Sequence, residues 1–216
     1  MSGRKTGGAG LRGQSAGETQ LCTVGISGSG LTYRGYDISE LAEGATFEEV
    51  AYLLLYGELP TAAELAAYKQ KLAGQRGLPQ ALRDVLERIP ADAHPMDVMR
   101  TGCSMLGNLE PEPDFSAQND VADRLLAVLP SILLYWYRFS HDGERIDPEA
   151  GDDTIAGHFL HLLHGKAPDA LHRRVLDVSL ILFAEHEFTA STFTARVCAS
   201  TLYDMHSCVT GAIGSL

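Results

Sequence analysis

Glu185-His186-Glu187 places an imidazole between two carboxylates, just ahead of the hydroxyl-rich run Thr189-Ala-Ser-Thr-Phe-Thr194. An imidazole in such company can carry a proton and meet an anionic substrate with charge. Read locally, the segment is first a helix cap, because hydroxyl clusters commonly supply N-cap acceptors, and only second a ligand site. His158, His161 and His164 recur every third residue, which brings them loosely onto one side of a helix. The intervening Phe159, Leu160, Leu162 and Leu163 belong to a buried helix, no carboxylate follows at ligand spacing and HExxH is absent, so packing and capping outweigh metal binding. Arg100 and Arg196 could each grip a carboxylate bidentately, yet arginines on helices more often pair within or between helices, and neither is assigned to a site. The aromatics of Tyr33-Arg34-Gly35-Tyr36 are expected to pack a hairpin against helices rather than to stack on bases.

Composition narrows the chemistry further. With 28 acidic against 17 basic side chains and a net charge of −11, the chain is a poor nucleic-acid binder, since that binding is driven by basic groups neutralising phosphates. An anionic substrate would need locally placed cations. Cys22, Cys103, Cys198 and Cys208 are widely spaced, with no CxxC pair and no secretory leader ahead of them, so reduced thiols in a cytoplasm are expected rather than zinc or disulfides. No run reaches about 18 uninterrupted apolar residues, so no membrane span is expected. The absence of GxGxxG after a strand, of GxxxxGK[ST] and of GxSxG weakens nucleotide-dependent and α/β-hydrolase readings.

The elements that must position these groups are mostly helical. Residues 1–18 are glycine-rich and basic and read as a flexible tail, leaving 19–216 as the folded part. Residues 21–24 and 31–36 flank a turn-rich stretch and predict a small β-hairpin. Thr46-Phe-Glu-Glu49 and Thr61-Ala-Ala-Glu64 are capping-box patterns that open helices over 50–56 and 65–72. Further helices are predicted over 78–89, over 96–106 with Pro95 in the first turn, and over 121–139, bent or restarted at Pro130. A charged loop follows to residue 153, then helices over 154–164 and 168–188 and a last pattern from Ser191 onward. The fold class is therefore all-α with one small hairpin.

Taken in order, Leu21-Cys-Thr-Val-Gly25, Leu31-Thr-Tyr-Arg-Gly-Tyr-Asp-Ile38, Leu55-Tyr-Gly-Glu-Leu-Pro-Thr61, His94-Pro-Met-Asp-Val-Met-Arg-Thr-Gly102 and His186-Glu-Phe-Thr-Ala-Ser-Thr192 resemble the citrate synthase superfamily. Ser131-Ile-Leu-Leu-Tyr-Trp-Tyr137, His141-Asp-Gly-Glu-Arg-Ile146 and Gly157-His-Phe-Leu-His-Leu-Leu-His-Gly165 resemble its 2-methylcitrate branch. The resemblance implies an incomplete large-domain helical bundle without the small domain, and a homodimer packed through helices that carry Gly102, Ser104, Gly211, Ala212 and Gly214. It implies condensation of oxaloacetate with propionyl-CoA, or with acetyl-CoA as in ordinary citrate synthase, the acyl-CoA being a substrate rather than a cofactor. His186 matches the family's oxaloacetate-binding histidine, and Thr189 stands where the family usually has asparagine, a hydroxyl replacing an amide. The match ends at Leu216, short of the family's two catalytic histidines and its aspartate. The expectation is thus a truncated chain, inactive alone, with no catalytic residue and no metal ligand of its own. A non-catalytic helical binding protein derived from the family is the alternative.

Overall fold

The computed structural model describes residues 17–25 and 30–216. Its only strands among those residues form one antiparallel sheet in the order β1 (Cys22–Val24), β2 (Leu31–Tyr33), β3 (Tyr36–Asp37). Cys22 stands opposite Tyr33 and Thr23 opposite Thr32, so the expected hairpin is present, although residues 26–29 of its turn and 1–16 of the expected tail lie outside the described residues. The single second strand expected over 31–36 is in fact two. Arg34 (φ 45°) and Gly35 (φ 93°) take left-handed conformations and fold the chain back so that Tyr33 pairs with Tyr36.

Ten α-helices follow among the described residues: α1 (Ile38–Gly44), α2 (Phe47–Tyr56), α3 (Ala62–Ala73), α4 (Gln80–Leu86), α5 (Pro95–Leu109), α6 (Gln118–Asp142), α7 (Ile155–His164), α8 (Ala170–Phe183), α9 (Ala190–Ser200) and α10 (Met205–Ile213). Both capping boxes form: Glu49 accepts from the Thr46 backbone N–H at 2.7 Å, and Glu64 from that of Thr61 at 2.8 Å. Pro130 neither breaks nor restarts α6, which runs through it unbroken. Among the described residues no helix is long and apolar enough to cross a membrane.

Helix α6 lies between two apolar clusters. Its Ala127 joins Tyr33, Val50, Leu53, Leu72, Ile155 and Ile181, while its Val128, Ile132 and Trp136 join Leu82, Leu86, Val98 and Leu106. Each fully buried leucine or isoleucine contributes about 1.5–3 kcal/mol, so these two clusters supply most of the driving force. Carboxylates on neighbouring helices complete helix starts. Asp177 of α8 accepts from Phe47 N at 2.9 Å, and the buried Glu48 of α2 accepts from Ile155 N at 2.7 Å.

The small residues expected to serve a dimer contact are partly used inside the chain. A Cβ on Gly102 would lie 2.3 Å from Ile132 of α6, one on Gly211 would lie 3.2 Å from Cys198 of α9, and one on Gly214 would lie 3.3 Å from Arg100 of α5. Those glycines set the spacing of α5, α6, α9 and α10. Ser104 remains on an exposed face of α5.

Candidate substrate-binding site

Helix α8 ends at Phe183, five residues before its predicted end at Phe188, and the reason lies in the sheet. In a continuing helix the Glu185 N–H would donate to the Ile181 carbonyl. The Tyr33 hydroxyl occupies that gap: it accepts from Glu185 N at 3.2 Å and donates to Ile181 O at 2.9 Å. A side chain inserted into the helical ladder in this way stops or kinks a helix. His186 therefore sits in an irregular turn rather than near the end of a helix as its sequence neighbourhood suggested.

Cys22 fixes the next step of the turn. Its Sγ accepts from Glu187 N at 3.0 Å and its thiol faces Glu185 Oε1 at 3.4 Å, while Glu185 Oε1 itself accepts from Glu187 N at 2.7 Å. Glu187 adopts φ 73°, a left-handed conformation unusual for a side-chain-bearing residue and held here by those bonds. Burial, joined by the Glu185 and Glu187 carboxylates, pushes the Cys22 thiol up to about 11. Burial likewise raises the Tyr33 phenol. Both groups stay neutral near pH 7 and act as hydrogen-bonding pins, not as nucleophile or base.

The ring of His186 is exposed at the crest of this turn. Thr189, three residues on, is the N-cap of α9: its Oγ1 accepts from Thr192 N at 3.3 Å and lies 2.9 Å from Ser191 Oγ. The capping role read from the hydroxyl run is thus real at Thr189. Arg196, on α9, stacks its guanidinium 4.8 Å from the Phe188 ring centroid, and Arg100 pairs with Asp97 one turn away. His158 belongs elsewhere, fully buried with Nδ1 3.0 Å from Ala150 O and Nε2 3.3 Å from Ser131 Oγ. Among the described residues no three His, Cys, Asp or Glu side chains gather as a metal site. The pins Cys22 and Tyr33 carry no local signal in the sequence, because their partners lie more than 140 residues away.

The family model described as citrate synthase, C-terminal domain, matches residues 10–216. The chain belongs to the citrate synthase family. It is 80% identical over 213 residues to a 2-methylcitrate synthase of Shewanella oneidensis, a match spanning 99% of this chain and 57% of that protein. To a 2-methylcitrate synthase of Mycobacterium tuberculosis it is 42% identical over 208 residues, 96% of this chain and 53% of that one. Its fold matches, at a TM-score of 0.88 and 28% identity, the solved ternary complex of Thermoplasma acidophilum citrate synthase with carboxymethyl coenzyme A and oxaloacetate, covering 95% of this chain and 55% of the other. The chain spans about half the length of the relatives it matches.

Proposed function

We propose that this chain is the substrate-holding part of a 2-methylcitrate synthase, which condenses propionyl-CoA with oxaloacetate and water to give 2-methylcitrate and CoA, in propionate catabolism in the cytoplasm. The observation that carries the reading is the 80% identity to the Shewanella oneidensis 2-methylcitrate synthase along nearly the whole chain. His186 holds a carboxylate of oxaloacetate through a charge-assisted N–H···O bond. Thr189 adds a hydroxyl contact beside it, limited because that hydroxyl also caps α9. The exposed side of α5, with Thr101, Ser104 and Asn108, meets its symmetry mate in a homodimer.

The test is kinetic. In a chimera of residues 1–216 followed by the remainder of the Shewanella oneidensis protein, kcat/KM for propionyl-CoA should exceed that for acetyl-CoA. The reverse order would make the chain part of an ordinary citrate synthase, and no condensation with either thioester would favour a non-catalytic binding protein. In the same chimera His186→Ala should raise KM for oxaloacetate about 10- to 100-fold, the worth of one hydrogen bond to a charged group. An unchanged KM would remove His186 from the site.

A further inference from the structure

We propose that the N-terminal sheet positions the substrate-binding histidine, with Tyr33 and Cys22 as its positioning residues. The inference rests on the reading of His186 as an oxaloacetate ligand and deepens it. The Tyr33 hydroxyl is the spacer between the Ile181 carbonyl and the Glu185 N–H. Remove that oxygen and these two groups can bond directly, which continues α8 by another turn and carries His186 round the helix axis at about 100° per residue. Cys22 holds the next step of the turn. By accepting from Glu187 N it holds the left-handed residue that turns the backbone out of helical geometry. Tyr33 is fully buried and Cys22 nearly so, and both are bound to the backbone of the turn, so neither is placed to touch substrate. They act on the reaction through the direction in which the His186 ring points. The sheet thereby acquires a task beyond packing: it is the clamp that converts the end of a helix into a presenting turn.

Three variants of the chimera described above test this. Tyr33→Phe keeps the buried ring and deletes only the spacer, and it should raise KM for oxaloacetate about tenfold while leaving kcat and the KM for propionyl-CoA within about twofold. Cys22→Ala should raise the same KM, and Cys22→Ser, which restores an acceptor, should bring it back. In the chain of residues 1–216, the His186 ring signal in a carbon–proton NMR spectrum, assigned by its loss in His186→Ala, should shift in Tyr33→Phe as far-ultraviolet dichroism gains helix. An unchanged oxaloacetate KM in Tyr33→Phe, with His186→Ala raising it, overturns the positioning role and leaves the site intact. If His186→Ala itself leaves KM unaltered, the substrate reading fails instead, and the NMR signal decides whether Tyr33 sets the turn: unmoved, it overturns the clamp. Should Tyr33→Phe yield no soluble protein, equal KM values for Cys22→Ala and Cys22→Ser overturn it.

Discussion

Asp123→Ala is expected to cost about 2–4 kcal/mol of stability, because it takes the charged acceptor from buried phenol donors, at about 1–3 kcal/mol each. Asp123 is fully buried on α6, and three donors from two other helices converge on its carboxylate. Tyr56 of α2 donates at 2.5 Å, Tyr68 of α3 at 2.8 Å, and Lys71 of α3 at 2.7 Å, the lysine also reaching Asp120 at 2.6 Å. Burial works against the charge on Lys71, but its bonds to Asp120 and Asp123 outweigh that and leave its pKa above the usual range. Burial and the Asp123 carboxylate push the Tyr56 phenol up to about 12. All three groups therefore remain donors at neutral pH, and alanine leaves the two phenols with no acceptor and Lys71 with Asp120 alone. Chemical denaturation read by fluorescence checks the figure. Asp123→Asn should lose less, because the amide oxygen still accepts from at least one phenol. A loss below about 1 kcal/mol in the alanine variant would mean that water reaches the carboxylate and replaces it as acceptor.

The rings around this carboxylate explain why such a polar group is tolerated at the junction of three helices. Tyr52 and Tyr68 meet edge to face at 5.3 Å, and Tyr56 and Tyr68 at 6.0 Å. Their faces are the apolar seam between α2 and α3, and the hydroxyls of Tyr56 and Tyr68 are the polar end of that seam. Aromatic packing fixes the approach of the two helices, and Asp123 then locks both to α6.

What could be read in the sequence was what is local. The capping boxes at Thr46 and Thr61 are complete within four residues, so the starts of α2 and α3 were legible. Helix α1 went unanticipated because it is seven residues long with only Leu41 buried, although Asp37 does cap it by accepting from Ser39 N at 2.8 Å. The far end of α8 could not be read, since no proline or glycine stops the predicted helix before Phe188 and the hydroxyl that interrupts it comes from β2. Tertiary contact overrode helix propensity there. The site divides along the same line. His186 and Thr189 came from the resemblance of a short motif, and the hydroxyl pattern alone pointed first to the cap that Thr189 does form. The turn that gives His186 its exposure depends on partners at positions 22 and 33, which no local pattern couples to it.

Acid should loosen this fold through a buried histidine, His158. The His158 Nδ1 faces the Ala150 carbonyl, which can only accept, so that nitrogen carries the proton of the neutral ring and Nε2 is free to accept from Ser131. Charging the ring would add a proton on Nε2 in a fully buried site. Burial, with the Arg76 guanidinium and His161 adding to it against Asp152, lowers His158 to about 4. Arg76 is itself 2% exposed and donates to the carbonyls of Asp152 and Thr154, so it cannot swing away. An unfolded histidine binds its proton near pH 6.5, so between about pH 6.5 and 4 the unfolded chain holds a proton that the native one refuses. Stability is then complete above that window and falls as pH drops through it, by about 3 kcal/mol in all. Glu48 opposes the trend, because burial raises its pKa and makes the native state the better proton binder at that position. The two are separable. Urea midpoints measured from pH 7.5 to 4 should decline in the native sequence and decline much less in His158→Gln, whose amide can still donate to the Ala150 carbonyl. Parallel declines in the two proteins would assign the acid sensitivity to other groups.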